Sequence, residues 1–308
     1  MDGIRLRCPA TSANLASGYD VFGLALQEPY DIVEVTGKTG KGVEISVSGY
    51  KVPTDAERNS GGYVALRMME HFGIQEGLRV EIQKNIQPAR GLGSSAATAA
   101  GVAYALNQLF KLNLDRKRLV DYASLGEIVT AGFAHADNVG SAVYGGFIII
   151  AAREPLEILG FTPPKDMGIV VAVPDVEKGS TKVAREAVPK MIPIFNLNYN
   201  LGHAALLAAG MVSRNLDLVK LGMEDVIVEP ARAKAGIVKE YEAFKKLGKE
   251  LNAGIAVSGA GPSILGVVEM ERRKELGKAM RRIFEEKGYA CQIYETQPGN
   301  GVEAFPCS

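Results

Sequence analysis

Two glycines and two serines stand directly ahead of a run of small residues in "QPARGLGSSAATAAGVAYALNQLF", residues 87–110. Gly91 and Gly93 can adopt backbone angles closed to other residues and let a ligand approach the main chain. The helix that follows opens with unpaired N–H groups at the positive end of its dipole. Together they form an anion site that requires no side-chain cation, and the Ser94 and Ser95 hydroxyls can reach a phosphate or a metal. The loop is not a Walker A loop, because GxxxxGK[ST] needs a lysine that is absent here. A generic GxG is more often just a turn ahead of a buried helix, so the companion motifs must decide.

Other chemistries find little support. His71, His135 and His203 form no HxxxH or HxH, and no GxSxG elbow occurs. Cys8, Cys291 and Cys307 are scattered, with no CxxC, which argues against a disulfide framework or a zinc site. Lys+Arg and Asp+Glu each number 35, so no net field steers the chain toward nucleic acid or an anionic membrane. The apolar runs are too short to span a bilayer and the N-terminus lacks a signal pattern, so a cytoplasmic protein is expected.

The elements needed to hold such a loop are legible. "YDIVEVTG" and "VEISVSG" alternate as half-buried antiparallel strands do. "SGGYVALRMMEHFG" reads as a helix ending at glycine. "LRVEIQKNI" is a strand that feeds the glycine loop, and the helix after the loop runs to about Lys111. Asp115 is placed to cap the next helix. "EPLEILGFTPPKD", with three prolines, reads as a connector and sets a domain boundary at roughly residues 155–166. Beyond it, strands and helices interleave in a split β-α-β layout of ferredoxin-like kind, with "MGIVVAVPD", "GIAVSGAGPSILGVV" and "YACQIYETQ" as strands.

Three strings in order, "PATSANLASGYDVFGLAL" (9–26), the glycine loop and "SGAGPSILGV" (258–267), resemble the signature regions of the GHMP kinases. Three more, "HADNVGSAVYGG" (135–146), "GSTKVAREAVP" (179–189) and "EPARAKAGIVKEY" (229–241), are similar to the homoserine kinase branch of that family. Ala16 and Ser17 stand where that branch usually has Gly-Pro, and Tyr19 where it has Phe.

The resemblance implies a two-domain α+β fold. An ATP-binding domain of ribosomal protein S5 domain 2-like form would cover residues 1–160, and a ferredoxin-like domain residues 161–308. It implies ATP over Pro88, Ala89, Arg90, Gly91, Leu92, Gly93, Ser94, Ser95, Ala96, Ala97 and Thr98, with Asn59 and Lys84 at the adenine pocket. Ser95 and Glu127 would hold Mg²⁺. L-Homoserine would lie against Asn14, Asp20, His135, Asn138, Thr181, Arg185 and Arg232. The arginines suit a carboxylate, and Asp20 with Asn14 suits an ammonium. Asn138 stands where relatives such as mevalonate kinase carry a proton-accepting aspartate. Since an amide cannot be a general base, transfer without a dedicated base is expected. The resemblance also implies a homodimer. The alternatives are another small-molecule kinase of the family, for instance a shikimate kinase, or a non-catalytic ligand sensor.

Overall fold

The computed structural model describes residues 3–176 and 181–305, and the side chains of all of these but 131, 181 and 182. The larger sheet has seven strands. β1 (Ile4–Ala13) pairs with β2 (Phe22–Lys38), whose far half pairs with β4 (Gly77–Lys84). β3 (Val43–Gly49) lies outside β4 and runs parallel to it. The antiparallel expectation fails for β3 because α1 (Ser60–Phe72) intervenes between the two strands as a crossover. The start of β2 also pairs with β5 (Phe147–Arg153), which in turn pairs with β6 (Leu156–Phe161). The proline-bearing segment read as a connector is therefore a strand up to Phe161. Its alternation was masked by the flanking prolines.

The alternation in β2 sends Val33 and Val35 into the core, while Glu34 joins a polar outer face with Arg5, Glu81 and Gln83. Four helices pack on the inner face: α1, α2 (Ser94–Leu109), α3 (Arg116–Ala131) and α4 (Asp137–Tyr144). Asp115 caps α3 as expected, accepting from Arg118 N–H at 2.8 Å. The small residues of α2 let it sit close on the sheet. A Cβ at Gly101 would lie 2.4 Å from the Cys8 sulfur.

The second sheet has the antiparallel order β10-β7-β9-β8, from β7 (Met167–Pro174), β8 (Gly254–Val257), β9 (Ile264–Glu269) and β10 (Cys291–Thr296). This is the split β-α-β arrangement read from the sequence. β7 is buried on both faces, which explains its unbroken apolar run. Ile169, Val171 and Val173 join the large core with Leu207 and Met211 of α6 (Ile194–Ser213) and Val219 of α7 (Leu216–Gly222). Val170 and Ala172 join a smaller core with Phe244 of α9 (Tyr241–Leu251) and Met280 and Phe284 of α10 (Arg273–Glu285). Two short helices, α5 (Thr181–Glu186) and α8 (Val228–Lys234), face the first sheet's motifs. The chain then returns: β11 (Glu303–Ala304) pairs with β1. Among the described residues, no helix is long and apolar enough to cross a membrane.

Candidate active site

A cavity of about 460 Å³ opens where the three glycine-containing motifs meet. Gly91 has a left-handed φ of 78°, and a Cβ there would lie 2.1 Å from the Ser258 carbonyl oxygen. The Ser258 hydroxyl donates to Gly91 O at 2.7 Å and meets Ser12 Oγ at 3.0 Å. Gly259 N–H donates to Ala13 O at 3.2 Å. Gly93 (φ 63°) precedes α2, and a Cβ there would meet Thr11 Oγ1 at 1.9 Å.

No side chain caps α2, and its first intrahelical bond runs from Ala97 N–H to Gly93 O. The N–H groups of the first turn are thus available to an anion at the positive end of the helix. Pro88, Ala89, Gly91, Leu92, Gly93, Ser94, Ser95 and Thr98 line the cavity, but Arg90, Ala96 and Ala97 do not. Arg90 turns away and donates to Val176 O at 2.6 Å and Asp175 Oδ1 at 3.2 Å. Ser94 Oγ donates to Ile86 O at 3.0 Å, so of the pair it is Ser95 whose hydroxyl is turned to Glu127.

Both residues assigned to the adenine pocket have structural partners. Asn59 caps α1, accepting from Gly61 and Gly62 N–H and donating to Pro53 O. Lys84 is buried and donates to Asp31, to Ser94 O at 2.8 Å and to Thr98 Oγ1 at 3.0 Å. All three ammonium protons are engaged, so Lys84, which like Asn59 lines the cavity, braces the loop. Its partner Asp31, which also accepts from Asn85 and Ile86 N–H, was not singled out in the sequence.

Glu127, on α3, is 7% exposed and lies near the Ser95 hydroxyl, which favours its charged form. Its Oε1 is buried without a partner. Burial pushes its carboxyl up to about 7, and Asp137 adds to the rise. An orphaned carboxylate oxygen beside a hydroxyl is the kind of donor set a hard cation takes. Among the described residues no group of three His, Cys, Asp or Glu is arranged to hold a metal ion, so a cation here would draw its other ligands from phosphate or water.

At the other end of the cavity charged groups converge. Arg185, on α5, pairs with Asp20 at 3.3 Å, stacks on Phe133 at 4.4 Å and lies 3.2 Å from His135 Nδ1. Arg232, on α8, is 4% exposed. It donates to Ala184 O at 3.2 Å and Gly259 O at 2.8 Å, with its guanidinium over Tyr19. Asn14 lines the cavity, but its amide is bonded at both ends, from Nδ2 to Gly259 O at 2.8 Å and at Oδ1 from Asp20 N–H at 3.0 Å. Its role is to aim Asp20. Thr181 opens α5, but its side chain lies outside the described residues.

Asn138 Oδ1 accepts from Thr11 Oγ1 at 2.9 Å, a partner 127 positions away that no sequence signal marks. Asp137 also lines the cavity; burial and the nearby Asp20 charge raise its carboxyl above the usual range. The turn that presents Asp20 runs through left-handed angles at Asn14, Leu15 and Ala16 (φ 77°, 50° and 67°). Ala16 thus holds a conformation that glycine adopts freely, at a strain of about 1–2 kcal/mol.

Residues 60–146 match the family "GHMP kinases N terminal domain". The chain is 44% identical over 305 residues to a homoserine kinase from Methanococcus maripaludis (strain C5), covering 98% of each. It is 36% identical over 304 residues to a homoserine kinase from Haloarcula marismortui, covering 98% of this chain and 100% of that one. A solved structure of homoserine kinase from Cytophaga hutchinsonii superposes with a TM-score of 0.92 at 33% identity, covering 99% and 98% of the two chains. A galactokinase from Lactococcus lactis, 18% identical with a TM-score of 0.73, shares the fold.

The geometry at Gly93 makes Gly93→Val incompatible with both Thr11 and the left-handed backbone. The variant is expected to lose nucleotide binding by calorimetry and to melt earlier than the parent; binding within a few-fold of the parent would overturn the role given to the loop. His135 is pushed down to about 4, first by burial and then by the Arg185 cation. Its ring therefore stays neutral through pH 5–8. The stability that this neutral burial contributes is present above pH 6.5 and is lost as pH falls from there toward 4. The His135 Cε1 proton in NMR should hold a constant shift down to about pH 5.5, whereas a midpoint near the ordinary value of about 6.5 would show a hydrated, chargeable ring.

Proposed function

We propose, since the chain belongs to the homoserine kinase family of the GHMP kinases, that it transfers the γ-phosphoryl group of ATP to the side-chain hydroxyl of L-homoserine. The product, O-phospho-L-homoserine, would serve threonine synthesis in the cytoplasm. The observation that carries this reading is the pairing of two opposed charges with a phosphate loop in one cavity. Arg185 and Arg232 suit the substrate carboxylate, Asp20 and Asp137 its ammonium, and Asn138 its hydroxyl. Shikimate has no ammonium to set against Asp20 and Asp137. A pure sensor has no use for the Ser95–Glu127 pair.

The first-turn N–H groups of α2 and the loop backbone hold the ATP phosphates, and Glu127 with Ser95 would hold Mg²⁺. When bound, Mg²⁺ neutralises charge on the phosphate oxygens as transfer proceeds. Thr11 fixes the Asn138 amide, which orients the substrate hydroxyl toward the loop. An amide takes no proton at neutral pH, so the hydroxyl proton passes to the phosphate late in transfer, without a dedicated base.

A coupled ADP-release assay with homoserine, shikimate, mevalonate and galactose tests the substrate. Homoserine is expected to give the highest kcat/KM, and turnover of shikimate alone would sink the reading. Arg232→Leu should raise the homoserine KM about 30-fold or more, the cost of losing one partner of a buried charge pair, while the ATP KM stays near the parent value.

The proposal of a homodimer rests on α6. Its 20 residues, Ile194–Ser213, include no Asp, Glu, Lys or Arg, yet much of the helix faces outward. Met191, Ile192, Ile194, Phe195, Leu197 and Leu201 are each 38–91% exposed. Together they form a contiguous apolar ridge of the kind that marks a protein–protein contact. A groove of about 640 Å³ runs beside this ridge on the same face, so ridge and groove of two copies can interlock about a two-fold axis. Sedimentation at micromolar concentration should show a dimer for the parent and a monomer for Leu201→Asp; a monomeric parent would refute the interface.

A further inference from the structure

α8 carries Glu229 in its first turn and Arg232 in its last. Glu229 is 3% exposed and does not line the cavity. Its Oε1 accepts the backbone N–H of Val257 at 2.6 Å, and its Oε2 accepts the Tyr241 hydroxyl at 3.1 Å. Val257 ends β8, the edge strand of the second sheet, so the carboxylate caps an edge N–H that has no neighbouring strand. Two residues further on, Gly259 O accepts Arg232 Nη1 and Asn14 Nδ2, each at 2.8 Å.

The short helix is thus fastened to β8 and its following turn at two points. One point, Glu229 to Val257, lies behind the cavity. The other, Arg232 to Gly259, lies in its wall. The helix itself is held in place by Asp225, which accepts from the N–H groups of Ile227, Val228 and Glu229. Losing the rear fastening would leave Val257 N–H buried without an acceptor and let α8 shift along the strand end. The Arg232 guanidinium would move with it. Filling this space requires no carboxylate: an apolar side chain packs as well, at lower desolvation cost, but cannot take the Val257 bond.

We infer that Glu229 is a positioning residue for the substrate carboxylate: through Val257 it sets the aim of Arg232. This rests on the reading of Arg232 as the residue that holds that carboxylate. What matters is the reach of the side chain, since an amide oxygen accepts the same N–H, whereas a chain one methylene shorter cannot span the gap.

The test is steady-state kinetics on Glu229→Asp and Glu229→Gln beside Arg232→Leu, with the folded fraction of each followed by thermal unfolding. Glu229→Asp should raise the homoserine KM about tenfold, or about 1.4 kcal/mol. Its ATP KM should stay within twofold of the parent. Glu229→Gln should keep the homoserine KM within about threefold. The inference is overturned if both variants keep the parental homoserine KM, if the homoserine and ATP KM values rise together, or if Gln is impaired while Asp is not. An unchanged homoserine KM in Arg232→Leu would instead refute the substrate reading, so the two failures are distinguishable.

Discussion

The contact on which the site depends is between main chains. Gly91 of the glycine loop and the Ser258–Gly261 turn of the second sheet approach so closely that Gly91 has no room for a side chain and Gly259 has little. A Cβ on Gly91 would lie 2.1 Å from Ser258 O, and one on Gly259 would lie 3.1 Å from Gly91 O. This approach brings Gly259 O within 2.8 Å of both Asn14 and Arg232. One carbonyl thereby registers the N-terminal turn, α8 and the glycine loop against each other. Burying that oxygen with two donors, one of them cationic, is favourable, and losing either donor would leave a strong acceptor short of a partner.

Charge is distributed around this joint by kind. At the loop end the side-chain cation is withdrawn: Lys84 lies under α2, bound to Asp31. What the open first turn of α2 presents to the cavity is backbone dipole, with the orphaned Glu127 oxygen beside it, while Lys51 and Arg58 line the cavity further out. At the far end two guanidiniums and two carboxylates share one wall, with a histidine kept neutral by burial and by Arg185. A zwitterion inserted there exchanges one set of opposed charges for another. Asp20, already paired with Arg185, need not be buried as an unmatched charge when the pocket is empty.

The sequence made the architecture readable wherever periodicity was local. The helices after the glycine loop, the Asp115 cap and the split β-α-β order all follow from patterns within about 20 residues. β6 was missed because Pro155, Pro163 and Pro164 frame it, and β3 was given the wrong direction because alternation carries no information about its partner. At the site, motif spacing named the residues but could not assign their duties. Lys84, Asn59 and Asn14 line the cavity, and each also has a structural duty, as brace, cap and aiming group, that spacing does not show. Thr11 was invisible as a partner of Asn138, since only the folded register brings them within 2.9 Å. Asp137, the neighbour of a residue that was named, carries a raised carboxyl because burial and Asp20 act on it together, and neither can be read from spacing.

The departure at Ala16 shows what fold and function each demand of the turn. Gly-Pro at positions 16 and 17 would supply a left-handed angle at no steric cost and a fixed φ after it. Ala16 keeps the left-handed angle at φ 67°. Ser17 is unconstrained at φ but donates from its hydroxyl to Gly222 O at 2.9 Å. Rigidity that proline would have built into the backbone is thus supplied by a tertiary bond to α7, and Gly18 N–H closes the turn on Asn14 O at 3.0 Å. Asp20 arrives in the same wall of the cavity, held by Asn14 Oδ1. The strain at Ala16 persists because the surrounding bonds overdetermine the loop, as expected where a turn must present a charge at a fixed point. The constraint lies in the position of Asp20, and the residues that build the turn are free to vary so long as that position is met.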